Sequence, residues 1–507
     1  MHAVSAAREG SSRSATPGPG PPRPLLAPAV TALSCAVFAV YCWVLRGFVT
    51  DDSWISVRYA ENLAAGAGAA WNPDGPRVEG FSNPLLVYVE ALADVAGWSA
   101  VSAARALGVL AGLACIVLVH RAGRAVVGEP AAVSGAVLTG VSAPFALWAV
   151  GGLETTMTAA VLTAAAIQLA RPDGGRPLLA GALLAVLPWL RPEGLVAGLA
   201  LAALGEAPGL LRRGTRGTAM RHLAVVGGLP VLSQAVLEAV RLGVYGHLLP
   251  NSVLYKSGTG ETFGVLQKFL DHSILVLVLA LAGAVLLRGR RLLLAVPVVV
   301  YLAGSIGTRD SANAFSRFFM PVWPQVALLA GVAVAALAAR LVMDARRRTA
   351  AAAALAAVVA AAASVVLPGA LRDVDRWQQG YMSCRVGARE DVVGWLVTST
   401  PPDTTFAISD AGYVPARAGG RTAIDNFMLN DPLIQRTGPL TPRQRAEVVH
   451  ERRPDLLILA SRDPYRFDPA YPTENALRTH PEGEDFSLVH VASGDLRCGY
   501  HLMVFAR

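Results

Sequence analysis

Residues 50–85 read TDDSWISVRYAENLAAGAGAAWNPDGPRVEGFSNPL and follow directly on an apolar run over residues 25–46. A run of that length crosses a bilayer as a helix, because a helix pairs all of its own backbone N–H and C=O groups where no water can. It is too long for a signal-peptide core and lacks a small-residue cleavage site, so it is expected to remain in the membrane. Two adjacent carboxylates, Asp51 and Asp52, therefore stand where the first span ends. Neighbouring acids at such a boundary repel one another and lose hydration, which tends to raise a pKa. Such a pair suits a general base, an electrostatic stabiliser or a metal ligand. The simpler alternative is a helix cap, with either carboxylate accepting N–H bonds of the helix that follows.

Outward from that stretch, apolar runs recur at 104–120, 130–150, 155–170, 177–190, 194–209, 222–241, 272–287, 292–306, 318–340 and 350–370. With the first, they predict an α-helical polytopic membrane protein of about eleven spans. The chain is 53% hydrophobic and only 16% charged, whereas soluble chains carry about a quarter charged residues. The deficit is confined to 25–370. Residues 1–24, rich in Pro, Gly and Ser, cannot build a core and read as a disordered cytosolic tail. Residues 25–370 form the membrane domain, with an outer loop at 47–103 carrying the acidic pair, and 371–507 a soluble domain.

Arginine sets the orientation. Arg121 and Arg124, Arg171 and Arg176, Arg212 to Arg221, Arg288 to Arg291 and Arg346 to Arg348 fall on alternate connections, together with Arg8, Arg13 and Arg23 of the tail. By the positive-inside rule that side is cytosolic, and the C-terminal domain is extracytoplasmic. The formal charge of +8 is thus a topological signal, and nucleic acid is not an expected partner. In 371–507, an amphipathic helix is predicted over Arg389–Thr398. Strands are predicted over Thr404–Ser409, Leu456–Ala460, Ser487–Ala492 and Tyr500–Phe505, giving an α/β or α+β domain. Cys384 and Cys498 lie in this domain, where an oxidising compartment favours a disulfide; two free thiols are the alternative.

The outward connections also hold the polar signatures: GGLET at 151–155, RPEG at 191–194, RLGVYGHLLPNSVLYK at 241–256 and TRDSANAFSRFFMP at 308–321. Polar groups gathered at one membrane face suggest a site there. No P-loop, strand-linked GxGxxG or zinc-ligand spacing is present in the sequence. A transporter or flippase would place polar groups at mid-span in paired repeats, and neither is visible.

Asp51-Asp52, Trp54 to Ala60, Asn62-Leu63, Gly66 to Gly68, Asn72-Pro73 and Val78 to Pro84 together resemble the first outer loop of GT-C membrane glycosyltransferases that use polyprenyl-phosphate sugars. Within that superfamily the string is similar to the terminal β-(1→2)-arabinofuranosyltransferases. Gly152 to Thr155, Arg191 to Gly194, Leu249 to Ser252, Ser409 to Tyr413 and Ala423 to Asp425 extend the likeness. Thr308-Arg309-Asp310 departs from the Gly-Gly-Asp that relatives often show.

The resemblance implies a GT-C catalytic domain over 25–370. Its substrates would be a polyprenyl-phosphate sugar donor, with arabinofuranose as the sugar, and a cell-envelope glycan acceptor; transfer of another sugar, such as mannose, onto glycan or protein is the alternative. Membrane lipids complete the set of partners, and the location is the cell membrane. Asp51 and Asp52 become the catalytic candidates. Arg58, Arg191, Arg317 and Lys256 are the outward cations for the donor phosphate, since arginine offers a permanently charged fork to phosphate oxygens; local ion pairs, such as Arg191 with Glu193, are the alternative. Tyr59, Glu79, Asn83, Glu154, Glu193, Asn251 and Asp310 are candidates for sugar or acceptor contacts. No cofactor is assigned with certainty, and a divalent cation, magnesium or calcium, is left open. A β-linked donor giving a β-linked product implies retention, whereas a single in-line displacement inverts.

Overall fold

The computed structural model describes residues 26–256, 264–306, 314–366 and 371–507. The tail expected at 1–24, Asp310 and the Lys256 side chain lie outside the described residues. Among the described residues, six helices are long and apolar enough to cross a membrane: Leu26–Val44 (α1), Ala100–Val127, Glu193–Leu211, Arg216–Tyr245, Gly264–Leu286 and Ala314–Leu341. The pair Glu129–Gly140 and Ala143–Val150, bent by 59°, makes a seventh if read as one broken span. The chain is a multi-pass membrane protein.

The expectation of about eleven spans thus meets six or seven. Thr155–Ala170 and Pro177–Leu190 have 16 and 14 residues and reach about 24 and 21 Å at 1.5 Å per residue. Most of Thr155–Ala170 is buried against neighbouring helices. Its apolarity serves the interior of the bundle, and hydropathy alone does not separate that from a lipid-facing span.

The C-terminal domain is built on a five-stranded mixed sheet. Its strands are β1 (Thr405–Ile408), β2 (Thr422–Asp425), β3 (Leu456–Ser461), β4 (Ser487–Ala492) and β5 (His501–Ala506), in the order β2-β1-β3-β5-β4. The first three are parallel and β5 runs antiparallel to both β3 and β4. Four of the five strands and the helix Gly387–Ser399 lie where the sequence pattern puts them, and β2 is a strand that the pattern did not reveal. Cys384 and Cys498 are joined in a disulfide. It ties the turn Met382–Val386 to the segment leading into β5.

The segment 47–103 packs into this domain rather than standing beside it. After α1, helix α2 (Asp51–Ala64) and helix α3 (Pro84–Val95) enclose the Gly-rich turn. Ile55, Tyr59, Trp71, Phe81 and Val87 share one apolar core with Phe406, Ile408, Val414 and Leu456 of the C-terminal domain. Asn72 docks on the open edge of β2, donating to the Ala423 carbonyl at 2.9 Å and accepting from its N–H at 3.2 Å. That arrangement closes an edge that would otherwise expose unpaired backbone groups.

Candidate active site

Parallel strands β1 and β2 pair in register as far as Ile408 and Asp425, so the loops that follow them leave the sheet side by side. Ligands of open parallel sheets sit at such carboxyl ends. Here the loops meet the N-terminus of α2 and enclose a cavity of about 1470 Å³. Its walls come from three sources: Asp51, Asp52, Asn83, Glu154 and Arg317 of the membrane part; Trp377, Tyr381, Arg385 and Arg389 from the helical start of the C-terminal domain; and Asp410, Asp425 and Tyr500 around its sheet.

The two adjacent carboxylates are treated differently. The helix cap is Thr50, which makes no side-chain cap bond, and both acids occupy the first turn of α2, where the helix dipole favours negative charge. Asp51 turns toward the C-terminal domain and accepts from the Gly412 N–H at 3.2 Å and the Tyr413 N–H at 2.9 Å. Gly412 is required there, since a Cβ would stand 2.0 Å from the Asp51 carbonyl oxygen. Arg389 Nε lies 3.4 Å from Asp51 and 2.8 Å from Asp410. Tyr381 links these groups, accepting from Arg389 at 2.9 Å and from the Asp51 N–H at 3.1 Å. Burial pushes the Asp51 carboxyl up to about 6; Arg389 opposes the rise, and Asp410 and Asp52 add to it. Burial would also raise Asp410, but the charges of Arg389 and Arg385 and a hydrogen bond from Tyr500 hold it below its usual range. Asp52 faces the cavity, 37% exposed, with Arg317 Nη1 at 2.7 Å. The Arg317 guanidinium lies 5.3 Å from the Trp148 ring and 5.9 Å from the Phe318 ring.

Asn83 and Glu154 also reach the cavity. Asn83 accepts from Ser56 at 3.1 Å and donates to Glu154 at 2.9 Å, and Glu154 accepts from Arg191 at 2.9 Å. Arg191 also binds Glu193 at 2.5 Å. It therefore stands behind Glu154 with two carboxylates on it, the local pairing that the sequence left as an alternative. Four other candidates are placed in the scaffold. Arg58 is buried, donating to the Trp71 carbonyl at 2.5 Å, to Asn72 at 2.8 Å and to the Arg421 carbonyl at 3.4 Å, so its fork is turned onto protein oxygens and away from the cavity. Tyr59 donates to Asn430 at 3.1 Å and accepts from the Gly80 N–H at 3.2 Å. Glu79 forms a bidentate buried pair with Arg241 at 2.8 and 3.2 Å. Asn251 also has a scaffold role, donating to the Leu429 and Asp431 carbonyls. Among the described residues no three His, Cys, Asp or Glu side chains converge as metal ligands would.

Arg389, Arg385, Tyr381, Trp377 and Tyr500 are cavity residues that the sequence did not single out. Asp410 and Asp425 were legible only as members of short motifs. Glu90, seven residues beyond Asn83 in α3, is fully buried with neither carboxylate oxygen hydrogen-bonded. Burial, with the charges of Glu154 and Glu61 nearby, pushes its carboxyl well above the usual range.

The overall arrangement recurs in solved structures. ArnT from Cupriavidus metallidurans bound to undecaprenyl phosphate superposes with a TM-score of 0.60 at 15% identity, over 95% of this chain and 98% of that one. The oligosaccharyltransferase of Archaeoglobus fulgidus in the apo form gives 0.56 at 13% identity, over 86% and 70%. The chain has the GT-C fold. In sequence, the terminal β-(1→2)-arabinofuranosyltransferase of Corynebacterium glutamicum is 28% identical over an alignment of 292 residues that covers 50% of this chain. The chain spans 39% of that relative's length. Residues 374–501 match a family model described as a domain of unknown function (DUF8728). In the GT-C fold of this chain, that stretch contributes one wall of the cavity.

Proposed function

We propose that the chain is a membrane glycosyltransferase that moves a sugar from a polyprenyl phosphate to a cell-envelope glycan, the sugar being arabinofuranose. The observation that carries this reading is the placement of Asp52 and Arg317 together on the wall of one large cavity between the membrane bundle and the C-terminal domain. A lipid phosphate enters from the bundle side and needs a fixed cation, and the glycan acceptor enters beside the C-terminal domain and needs a base. The sugar comes from the likeness to the corynebacterial arabinofuranosyltransferase, and the lipid phosphate from the ArnT structure. The arginine-rich connections support a cytosolic N-terminus and a cavity that opens outside.

In this reading Arg317 takes the donor phosphate, and Asp52, released from it, receives the proton of the acceptor hydroxyl. The acceptor oxygen bonds to the anomeric carbon from the face that the phosphate leaves, which retains the β configuration; the sugar–phosphate bond breaks, and its electron pair leaves with the phosphate. Charge that develops on the phosphate meets a preorganised guanidinium held against Trp148. Asp51 positions Asp52 by fixing the first turn of α2 to the Gly412-Tyr413 backbone. Glu154 and Asn83 supply oxygens for sugar hydroxyls.

The test is transfer by purified protein in nanodiscs supplied with labelled polyprenyl-phosphate arabinofuranose or polyprenyl-phosphate mannose and an envelope arabinan. Label from the arabinofuranose donor in the arabinan is the expected result. Incorporation from mannose alone moves the reading to the other sugar, and incorporation from neither overturns it.

A further inference from the structure

Most buried arginines of this molecule have several N–H donors on protein oxygens, as Arg58, Arg191, Arg241, Arg389 and Arg421 show. Two on the cavity wall depart from that pattern, Arg317 and Arg445, each with a buried Nε that meets no acceptor. Arg445 is 6% exposed. It makes no ion pair among the described residues, and the one hydrogen bond from its guanidinium there goes to Thr473 Oγ1 at 3.4 Å. Aromatic faces hold it instead, Tyr255 at 5.5 Å and Phe427 at 5.7 Å, and Phe427 in turn meets Tyr471 edge-on at 5.4 Å.

A ring face binds a guanidinium through its charge and uses none of the in-plane N–H donors. The Nη donors that Thr473 does not take are left for an oxygen-rich ligand. The position of the residue carries a local cost as well. The helix Pro442–Glu451 begins with a capping box at Thr441, and Arg445 follows in its first turn, where a cation opposes the helix dipole. Local stability therefore does not account for an arginine at this place. Tyr255, Phe427, Arg445, Tyr471 and Thr473 all line the same cavity as Asp52.

We infer that these residues form a subsite for a glycosyl unit of the acceptor chain, set apart from the unit that is extended. The rings supply apolar faces for sugar C–H groups, and the Arg445 fork donates to hydroxyl and ring oxygens. This inference rests on the proposed function and deepens it: the enzyme prefers an oligomeric acceptor over a short one.

The experiment compares arabinofuranosyl hexasaccharide with disaccharide as acceptors, for the intact protein and for R445M, R445K and F427A. The exposed neighbour Arg443 provides the control R443M. Wild type and R443M should prefer the hexasaccharide, and the preference in kcat/KM should fall about 10-fold or more in R445M and F427A, carried by the acceptor KM. R445K, which keeps the charge and loses the fork, should lose most of it. An unchanged preference, an equal loss on both acceptors, or a rise confined to the donor KM overturns the subsite. Titration of the hexasaccharide into donor-free protein by calorimetry reads the subsite without catalysis. Binding weakened in R445M and not in R443M supports it, and equal binding by both variants overturns it. Lack of transfer by wild type from every lipid-linked sugar would count against the proposed function, while this titration would still decide the subsite.

Discussion

Two parts of the segment between the first span and α3, adjacent in sequence, behave as different materials. At its start and end, Asp52 and Asn83 face the cavity. Between them, Arg58, Tyr59, Asn72 and Glu79 are bonded into protein on all sides, to Trp71, Asn430, Ala423 and Arg241. Polar residues in a signature string thus divide into those that meet a substrate and those that hold the first group in place. The difference lies in where each side chain is turned. A polar group bonded into protein away from the cavity is scaffold, and one on the cavity wall is placed to meet a substrate.

Four outcomes test that division. Asp52→Asn should lower kcat by about 10³–10⁴-fold, the upper part of the range for a lost general base, and leave thermal melting in detergent nearly unchanged; retention of full transfer would remove Asp52 from the chemistry. Glu79→Gln should act on the fold, removing about 3–5 kcal/mol as for other broken buried pairs. Glu238, 3.0 Å from Arg241, should keep the loss near the lower end, and a melting temperature equal to wild type would contradict the scaffold role. Arg317→Met should lower kcat/KM for the lipid donor by about 10²–10³-fold, as loss of one preorganised charge-stabilising donor does; an effect confined to the acceptor KM would reassign it.

The smallest effect concerns pH. Asp425 accepts from the Phe427 and Asn430 N–H groups, yet burial pushes its carboxyl up to about 6. A carboxyl whose folded pKa is raised contributes stability that is fully present below about pH 4 and is lost as pH rises through about 6. Melting temperature should therefore fall across that window, by at most about 3 kcal/mol in stability, and the slope should flatten in Asp425→Asn. An identical slope in the variant would show that another group sets it.

Much of the architecture was legible. Long apolar runs announce spans because the hydrocarbon demands them, and strand alternation revealed four of the five strands of the domain. The site was legible in part. Asp51, Asp52, Asn83, Glu154 and Arg317 do line one cavity, whereas Arg58, Tyr59 and Glu79 stand in the same string for another reason. Arg389 carried no local signal at all: it lies in an ordinary amphipathic helix, and its role comes from Asp51 and Asp410, far from it in the chain.

The sequence by itself determined that this chain enters a membrane repeatedly, that a soluble domain follows, and that an acidic pair stands at the exit of the first span. Those are properties of hydropathy and order along the chain. Tertiary structure alone decided which acid is held and which is presented, which arginines are satisfied and which keep free donors, and that the segment after the first span shares a core with the C-terminal domain. Hydrogen-bond satisfaction depends on partners hundreds of residues away, so no local pattern encodes it.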